Sequence, residues 1–209
     1  MRLLVLGASG GVGSCVLEQA VARGHRLTAQ TRNPDKLKAS GAVSVVVGAP
    51  TDEAFLRRHV FGHDAVVLCL GVDSIGRTTL FSESTKAVIA AMTAAGVRRL
   101  IAVTGVGAGD SRGHGGWFYN TVIYPLFTRN RYADKDRQEA IIEQSGLEWT
   151  IVRPAPFAAK AGTGALQAHT DIPDALQLTS VTRTEVASFI LDSLESASFL
   201  RQKPFIGHA

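Results

Sequence analysis

Short apolar runs alternate along the chain with longer segments in which apolar residues return every three or four positions. The runs Leu3–Leu6, Arg26–Thr31, Val43–Val47, Ala65–Leu70, Leu100–Thr104 and Trp149–Arg153 have the length and Val/Ile content of strands. Between and after them, Val12–Ala22, Pro34–Ser40, Glu53–His59, Thr79–Ala95, Tyr132–Ser145 and Thr184–Glu195 read as helices. Val12, Val16, Leu17, Ala20 and Val21 fall on one face, the spacing of a helix laid on a sheet. Runs such as Val66-Val67-Leu68-Cys69-Leu70 show no in/out alternation, as expected of strands covered on both sides. Gly24, Gly96 and Gly146 follow three of the helices where a left-handed cap is wanted. The order of elements predicts βαβ units and a doubly wound parallel α/β sheet, a single domain over residues 1–209.

Two segments break this rhythm, residues 105–131 and residues 155–178. Each follows a late strand, so each emerges at the carboxyl edge of the sheet, where parallel sheets bind ligands. They are the expected substrate-side walls, the second a small C-terminal extension. The first carries an aromatic block, with Trp117, Phe118, Tyr119, Tyr124 and Phe127. With Phe157 these rings would form either a stacking wall for a planar ligand or part of a core or dimer surface.

Composition narrows the class of protein. At 209 residues, 45% hydrophobic and 19% charged, the chain can bury a full core, which excludes disorder and a disulfide scaffold. The net charge of +4 has no clustered run, so it suits a small anionic ligand better than nucleic acid. Cys15 and Cys69 lie in apolar surroundings without metal-ligand spacing and read as packing thiols of a reducing compartment, with no disulfide or metal site. The apolar start ends at Gly7, too short for a signal peptide, and no run is long enough to span a bilayer. A cytoplasmic location is expected, with a monomer or homodimer, no nucleic acid and no membrane as partner.

The chemistry begins at Gly7-Ala8-Ser9-Gly10-Gly11-Val12-Gly13, between the first strand and the first helix. Glycines there let the backbone approach a diphosphate, while the free N–H groups and dipole of the helix attract its charge. The turn predicts a dinucleotide cradle formed by Gly7, Ser9, Gly10, Gly11, Val12 and Gly13. At the end of the second strand, where an NAD enzyme places a carboxylate for the ribose 2′-hydroxyl, this chain has Gln30-Thr31-Arg32-Asn33-Pro34-Asp35-Lys36. Arg32 offers a planar fork to a 2′-phosphate and Lys36 a second positive charge, so the expected cofactor is NADP(H).

With Gly7-x-x-Gly10-x-x-Gly13, Thr31-Arg32-Asn33-Pro34-x-Lys36, Gly62-x-Asp64-Ala65-Val66 and Ser145-Gly146-Leu147-x-Trp149-Thr150-Ile151-Val152-Arg153-Pro154, the chain resembles the atypical short-chain dehydrogenase/reductases. It is most similar to their NAD(P)H-binding group, which holds flavin reductase (biliverdin-IX beta reductase) and the NmrA-like proteins. The resemblance implies a Rossmann-type fold and further cofactor contacts. Leu70 and Gly71 would line the adenosine and ribose side, Thr104 and Gly105 would lie near the nicotinamide, Lys135 would touch the cofactor, and Pro154, Ala155, Pro156 and Phe157 would border the nicotinamide ring.

The chain also departs from that family. Tyr-x-x-x-Lys, in which lysine lowers the pKa of a proton-donating tyrosine, is absent. Tyr132 and Lys135 are three residues apart and still share a helical face, an altered pair that with Thr104 makes up the candidate catalytic set. Gly48-Ala49 stands where relatives often carry an aspartate for adenine. A conjugated acceptor stacked on the nicotinamide can take hydride while solvent supplies the proton, so these losses leave catalysis open. Two readings follow: an NADPH-dependent oxidoreductase acting on a flavin, quinone or other conjugated carbonyl, or a non-catalytic NADP-binding redox sensor of NmrA type. His114, in a glycine-rich loop, and Arg77 read more simply as solvated side chains.

Overall fold

A computed structural model describes residues 1–37, 42–72, 76–114, 116–118, 120–123 and 129–209. Six parallel strands form the centre of one sheet: β1 (Arg2–Leu6), β2 (Arg26–Thr31), β3 (Val43–Val47), β4 (Ala65–Leu68), β5 (Arg99–Val103) and β6 (Glu148–Pro154). Two short strands extend it, β7 (Gln167–His169) and β8 (Phe205–Gly207), and the spatial order is β3-β2-β1-β4-β5-β6-β8-β7. β1 pairs with β2 on one side (Leu3 opposite Leu27) and with β4 on the other (Leu3 opposite Ala65). The chain therefore winds outward to β3, returns to the middle and winds the other way, leaving a crevice where β1 and β4 end.

Side chains alternate across β1, and each face receives its own helices. Leu3 and Val5 pack with Val12, Val16 and Leu17 of α1 (Gly11–Ala22) and with Val186, Ile190 and Leu191 of α5 (Arg183–Glu195). Leu4 and Leu6 pack on the other face with Phe55 and Leu56 of α2 (Glu53–Val60), Val88 and Met92 of α3 (Leu80–Ala95) and Ile142 of α4 (Arg129–Glu143). Burial on both faces is why the strand sequences read as unbroken apolar runs. No helix among the described residues is long and apolar enough to cross a membrane.

The structure corrects one local expectation and adds two strands that the sequence pattern did not show. Pro34–Ser40 is not a helix through its described part: residues Pro34–Lys36 make a single 3-10 turn, and residues 38–40 lie outside the described residues. Residues 155–178, expected as a substrate-side wall, also carry β7, which pairs antiparallel with β8 at the sheet edge. β8 itself, three residues of Phe-Ile-Gly paired parallel to β6, is too short for periodicity to reveal.

Candidate functional site

The glycine turn leaves β1 at the switch point, and its shape is set by backbone crowding. Gly7 has φ +76°, and a Cβ there would come within 2.7 Å of the Cys69 carbonyl oxygen at the end of β4. Gly10 N–H donates to the Gly7 carbonyl at 2.9 Å, and a side chain on Gly13 would be driven into that same carbonyl, so Gly13 keeps α1 tight against the turn. Gln30, fully buried at the end of β2, accepts from Gly7 N–H at 3.1 Å and donates from Nε2 to the Gly48 carbonyl at 2.6 Å. Ser9 and Thr31 share a hydroxyl hydrogen bond of 3.0 Å. The turn is thus held before any ligand arrives.

Over this turn runs a cleft of two halves that meet at Gly10, Gly11, Leu70, Gly71 and Val72. The first half, about 400 Å³, is bounded by Gly7 and Ser9, by Arg32 and Lys36 beyond β2, and by Pro50. Neither Arg32 nor Lys36 makes an ion pair among the described residues, so both charges face the cleft and solvent uncompensated. The second half, about 500 Å³, is walled by Val12, by Thr104 and Gly105 beyond β5, by Tyr132 and Lys135 of α4, and by Pro154, Ala155, Pro156 and Phe157 beyond β6. Gly13 alone of the expected cofactor residues is off the wall, serving the turn from behind. Leu70 and Gly71 sit at the junction of the two halves.

α4 is fixed against α3 by Asp134, whose buried carboxylate accepts from Phe81 N–H at 2.9 Å and Ser82 Oγ at 2.5 Å. Those donors lie at the start of α3, where Thr78 Oγ1 accepts from Leu80 N–H at 3.1 Å, so Asp134 completes the cap of one helix and orients the other. Lys135, next along α4, is thereby buried: Nζ donates to the Val103 carbonyl at 2.9 Å and stands 4.1 Å from the centroid of the Phe81 ring. Burial pulls its ammonium down to about 8, against the opposing pull of Glu139. The Tyr132 hydroxyl lies against Gly105, where a Cβ would meet it at 2.5 Å.

Behind Thr104 lies a buried chain of polar groups that sequence reading missed. Thr104 Oγ1 donates to Glu139 Oε1 at 2.6 Å, and Arg153 donates to the same carboxylate from Nε at 3.2 Å and Nη2 at 2.6 Å. Arg153 also bonds the carboxylate of Asp110, which is exposed at the far end. Although burial opposes the charge, the Glu139 hydrogen bonds and then the Asp110 carboxylate hold the Arg153 guanidinium above its usual value. A carboxylate so bonded only accepts, so the Thr104 hydrogen points away from the cleft and its oxygen can offer the cleft only lone pairs. The signals were present, Glu139 one helical turn after Lys135 and Arg153 in the quoted Val152-Arg153-Pro154, but nothing local says they meet.

Arg131 and Arg183 also line the second half and were not foreseen. Cys69 lies on the same wall, and burial pushes its thiol up to about 12, leaving it an inert packing group. His114 is off the wall, bonded through Nδ1 to the Leu176 carbonyl at 2.7 Å, and Arg77 lines a separate surface cleft at the start of α3. Of the aromatic block, Trp117 and Phe118 are exposed and off the wall, while Tyr119, Tyr124 and Phe127 lie outside the described residues. Phe157 does line the cleft. No cluster of His, Cys, Asp and Glu able to hold a metal occurs among the described residues.

A crevice at the switch point, floored by a turn in which Gly7 and Gly13 admit no Cβ and opening on a helix N-terminus, defines a Rossmann-type dinucleotide-binding fold. The chain belongs to the NAD(P)H-binding family, whose model matches residues 7–197. Among curated relatives, the uncharacterized sugar epimerase YhfK of Bacillus subtilis is 29% identical over 206 residues, spanning 93% of this chain and 88% of that one. The anaerobillin reductase ChuY of Escherichia coli O157:H7 superposes with a TM-score of 0.81 at 23% identity, over 100% of this chain and 97% of that one. A short-chain dehydrogenase/reductase of Veillonella parvula, solved in complex with NADP, gives 0.78 at 17% identity over 99% and 94%. At these identities the two solved structures speak to the fold.

Proposed function

We propose that the protein is an NADPH-dependent oxidoreductase that reduces a planar conjugated acceptor, a flavin, quinone or other conjugated carbonyl. The observation that carries this reading is the pair of uncompensated cations, Arg32 and Lys36, at the end of a cleft whose other half is lined mostly by apolar groups. The adenosine 2′-phosphate fits Arg32 and Lys36, the diphosphate fits the N-terminus of α1, and the nicotinamide half fits between Thr104 and Pro154–Phe157. When bound, the dinucleotide supplies the hydride. Lys135 donates to a ribose or amide oxygen from the floor, and Thr104 accepts from an amide or hydroxyl hydrogen of the same half. Phe157 and Pro156 keep water from one side of the acceptor and hold it flat, which places the reacting carbon in range. Thr104 has no hydrogen to give, and solvent, rather than the Tyr132 hydroxyl or the Lys135 ammonium, delivers the proton that balances the hydride.

Steady-state oxidation of NADPH with FMN and simple quinones tests the reading, and robust turnover is expected. Tyr132→Phe is expected to keep turnover within about threefold of wild type, because a solvent proton needs no phenol, whereas loss of a dedicated acid costs about a hundredfold or more. Tight NADP binding with no turnover on any such acceptor would overturn the reading in favour of a redox sensor.

A further inference from the structure

Arg183 is the first residue of α5, where the positive end of the helix dipole disfavours a cation. It has no part in capping that helix. The Thr182 side chain accepts from Glu185 N–H at 3.2 Å, and Glu185 Oε2 accepts from Thr182 N–H at 2.8 Å. The other oxygen of Glu185 is bonded to His208 Nε2 at 2.8 Å, so the acid nearest in sequence is engaged elsewhere. Among the described residues Arg183 makes no ion pair. Its side chain instead crosses to the other helix: a Cβ on Gly11 would come within 2.5 Å of Arg183 Nε, and the guanidinium carbon stands 4.9 Å from the centroid of the Phe157 ring.

Gly11 opens α1, whose start has no side-chain cap and no acidic residue in its first turn. The N-terminus of α1 and the side chain of Arg183, a guanidinium without an ion pair among the described residues, therefore meet at one place in the cleft, beside Gly11 where its two halves join. Such a locus is matched by an anion that carries two charges and presents several oxygens to a planar fork. The Phe157 ring beside the guanidinium restricts where it can go, which lowers the freedom lost when the anion binds.

We propose that Arg183 is a diphosphate-binding residue of the dinucleotide site, closing from α5 over the group that the N–H donors of α1 hold from below. The inference rests on the dinucleotide reading of the cleft and extends it to a helix that neither the glycine turn nor the charge after β2 announces. Calorimetric titration of the full chain with NADP+, NAD+ and 2′-AMP, which lacks the diphosphate, tests it. Arg183→Gln is expected to weaken NADP+ and NAD+ by the same factor, on the order of tenfold, and to leave 2′-AMP within about twofold. Arg183→Lys, which restores charge without the fork, is expected to recover part of the loss, and that rescue separates binding from a folding defect. Unchanged affinity for both dinucleotides in Arg183→Gln overturns the proposal, as does a loss that 2′-AMP shares. A wild-type protein that binds neither dinucleotide overturns the dinucleotide reading itself, together with this extension of it.

Discussion

The two ends of the cleft solve opposite electrostatic problems. At the Arg32 end the charges are exposed, carried on a short turn and unpaired among the described residues, so they are free to meet a ligand and add little to the fold. At the Thr104 end every polar group named is already engaged: Thr104 with Glu139, Glu139 with Arg153, Arg153 with Asp110, Lys135 with Val103 and Phe81. The first end recognises by charge and the second by position. Burial decides the difference, because an exposed ion is screened by water whereas a buried one must be satisfied before the chain can fold.

The sharpest way to break this comparison is at Arg153. Arg153→Met leaves Glu139 buried without its cation and is expected to destabilise the fold by about 3–5 kcal/mol, read as a fall in the urea midpoint. Arg32→Ala is expected to change stability by no more than about 0.5 kcal/mol, since it touches an exposed side chain without an ion pair. A small loss at Arg153 or a large one at Arg32 would dissolve the contrast.

Next in size is the effect of Arg32 on ligand choice. A charge-assisted hydrogen bond to a phosphate contributes about 1.5–3 kcal/mol, so Arg32→Ala should weaken NADPH by about ten- to a hundredfold and NADH hardly at all. Equal losses for the two cofactors would move the 2′-phosphate elsewhere.

Lys135 gives a smaller effect, spread over pH. Its ammonium, lowered from 10.5 to about 8 by burial, carries its burial cost in full below pH 8, where folded and unfolded chains are both protonated. Between about pH 8 and 10.5 the unfolded chain binds more protons, so this group makes stability rise with pH across that window. Cys69 acts in the opposite sense above its ordinary 9.0, because its folded thiol stays protonated up to about 12. The difference between wild type and Lys135→Met carries mainly the lysine, because the lysine charge is only a secondary influence on the Cys69 thiol, after burial. It is expected to grow with alkaline pH by at most ~3 kcal/mol in urea unfolding. A flat difference would show that Lys135 is better solvated than its contacts imply.

The legible part of the molecule was the part written locally. Strand and helix periods, the glycine turn and the basic turn after β2 each occupy a few consecutive residues, and their physics is backbone sterics and helix dipole, which neighbours in sequence decide. The candidate residues around the second half, Thr104, Lys135 and Pro154–Phe157, were placed by resemblance rather than by any local rule, and the fold brings them to one wall.

By itself the sequence determined a parallel sheet with helices on both faces and a cradle at its first turn, because periodicity and glycine placement act over a turn or two of chain. Only the tertiary structure decided which way the Thr104 hydrogen points, which carboxylate holds Arg153, and that Arg183 crosses from α5 to Gly11. It also decided the two short strands at the sheet edge, which exist through pairing with β6 and with each other. Hydrogen bonds and ion pairs between residues far apart in the chain leave no period in the sequence. Their geometry comes into being when the sheet winds and sets its strand ends side by side.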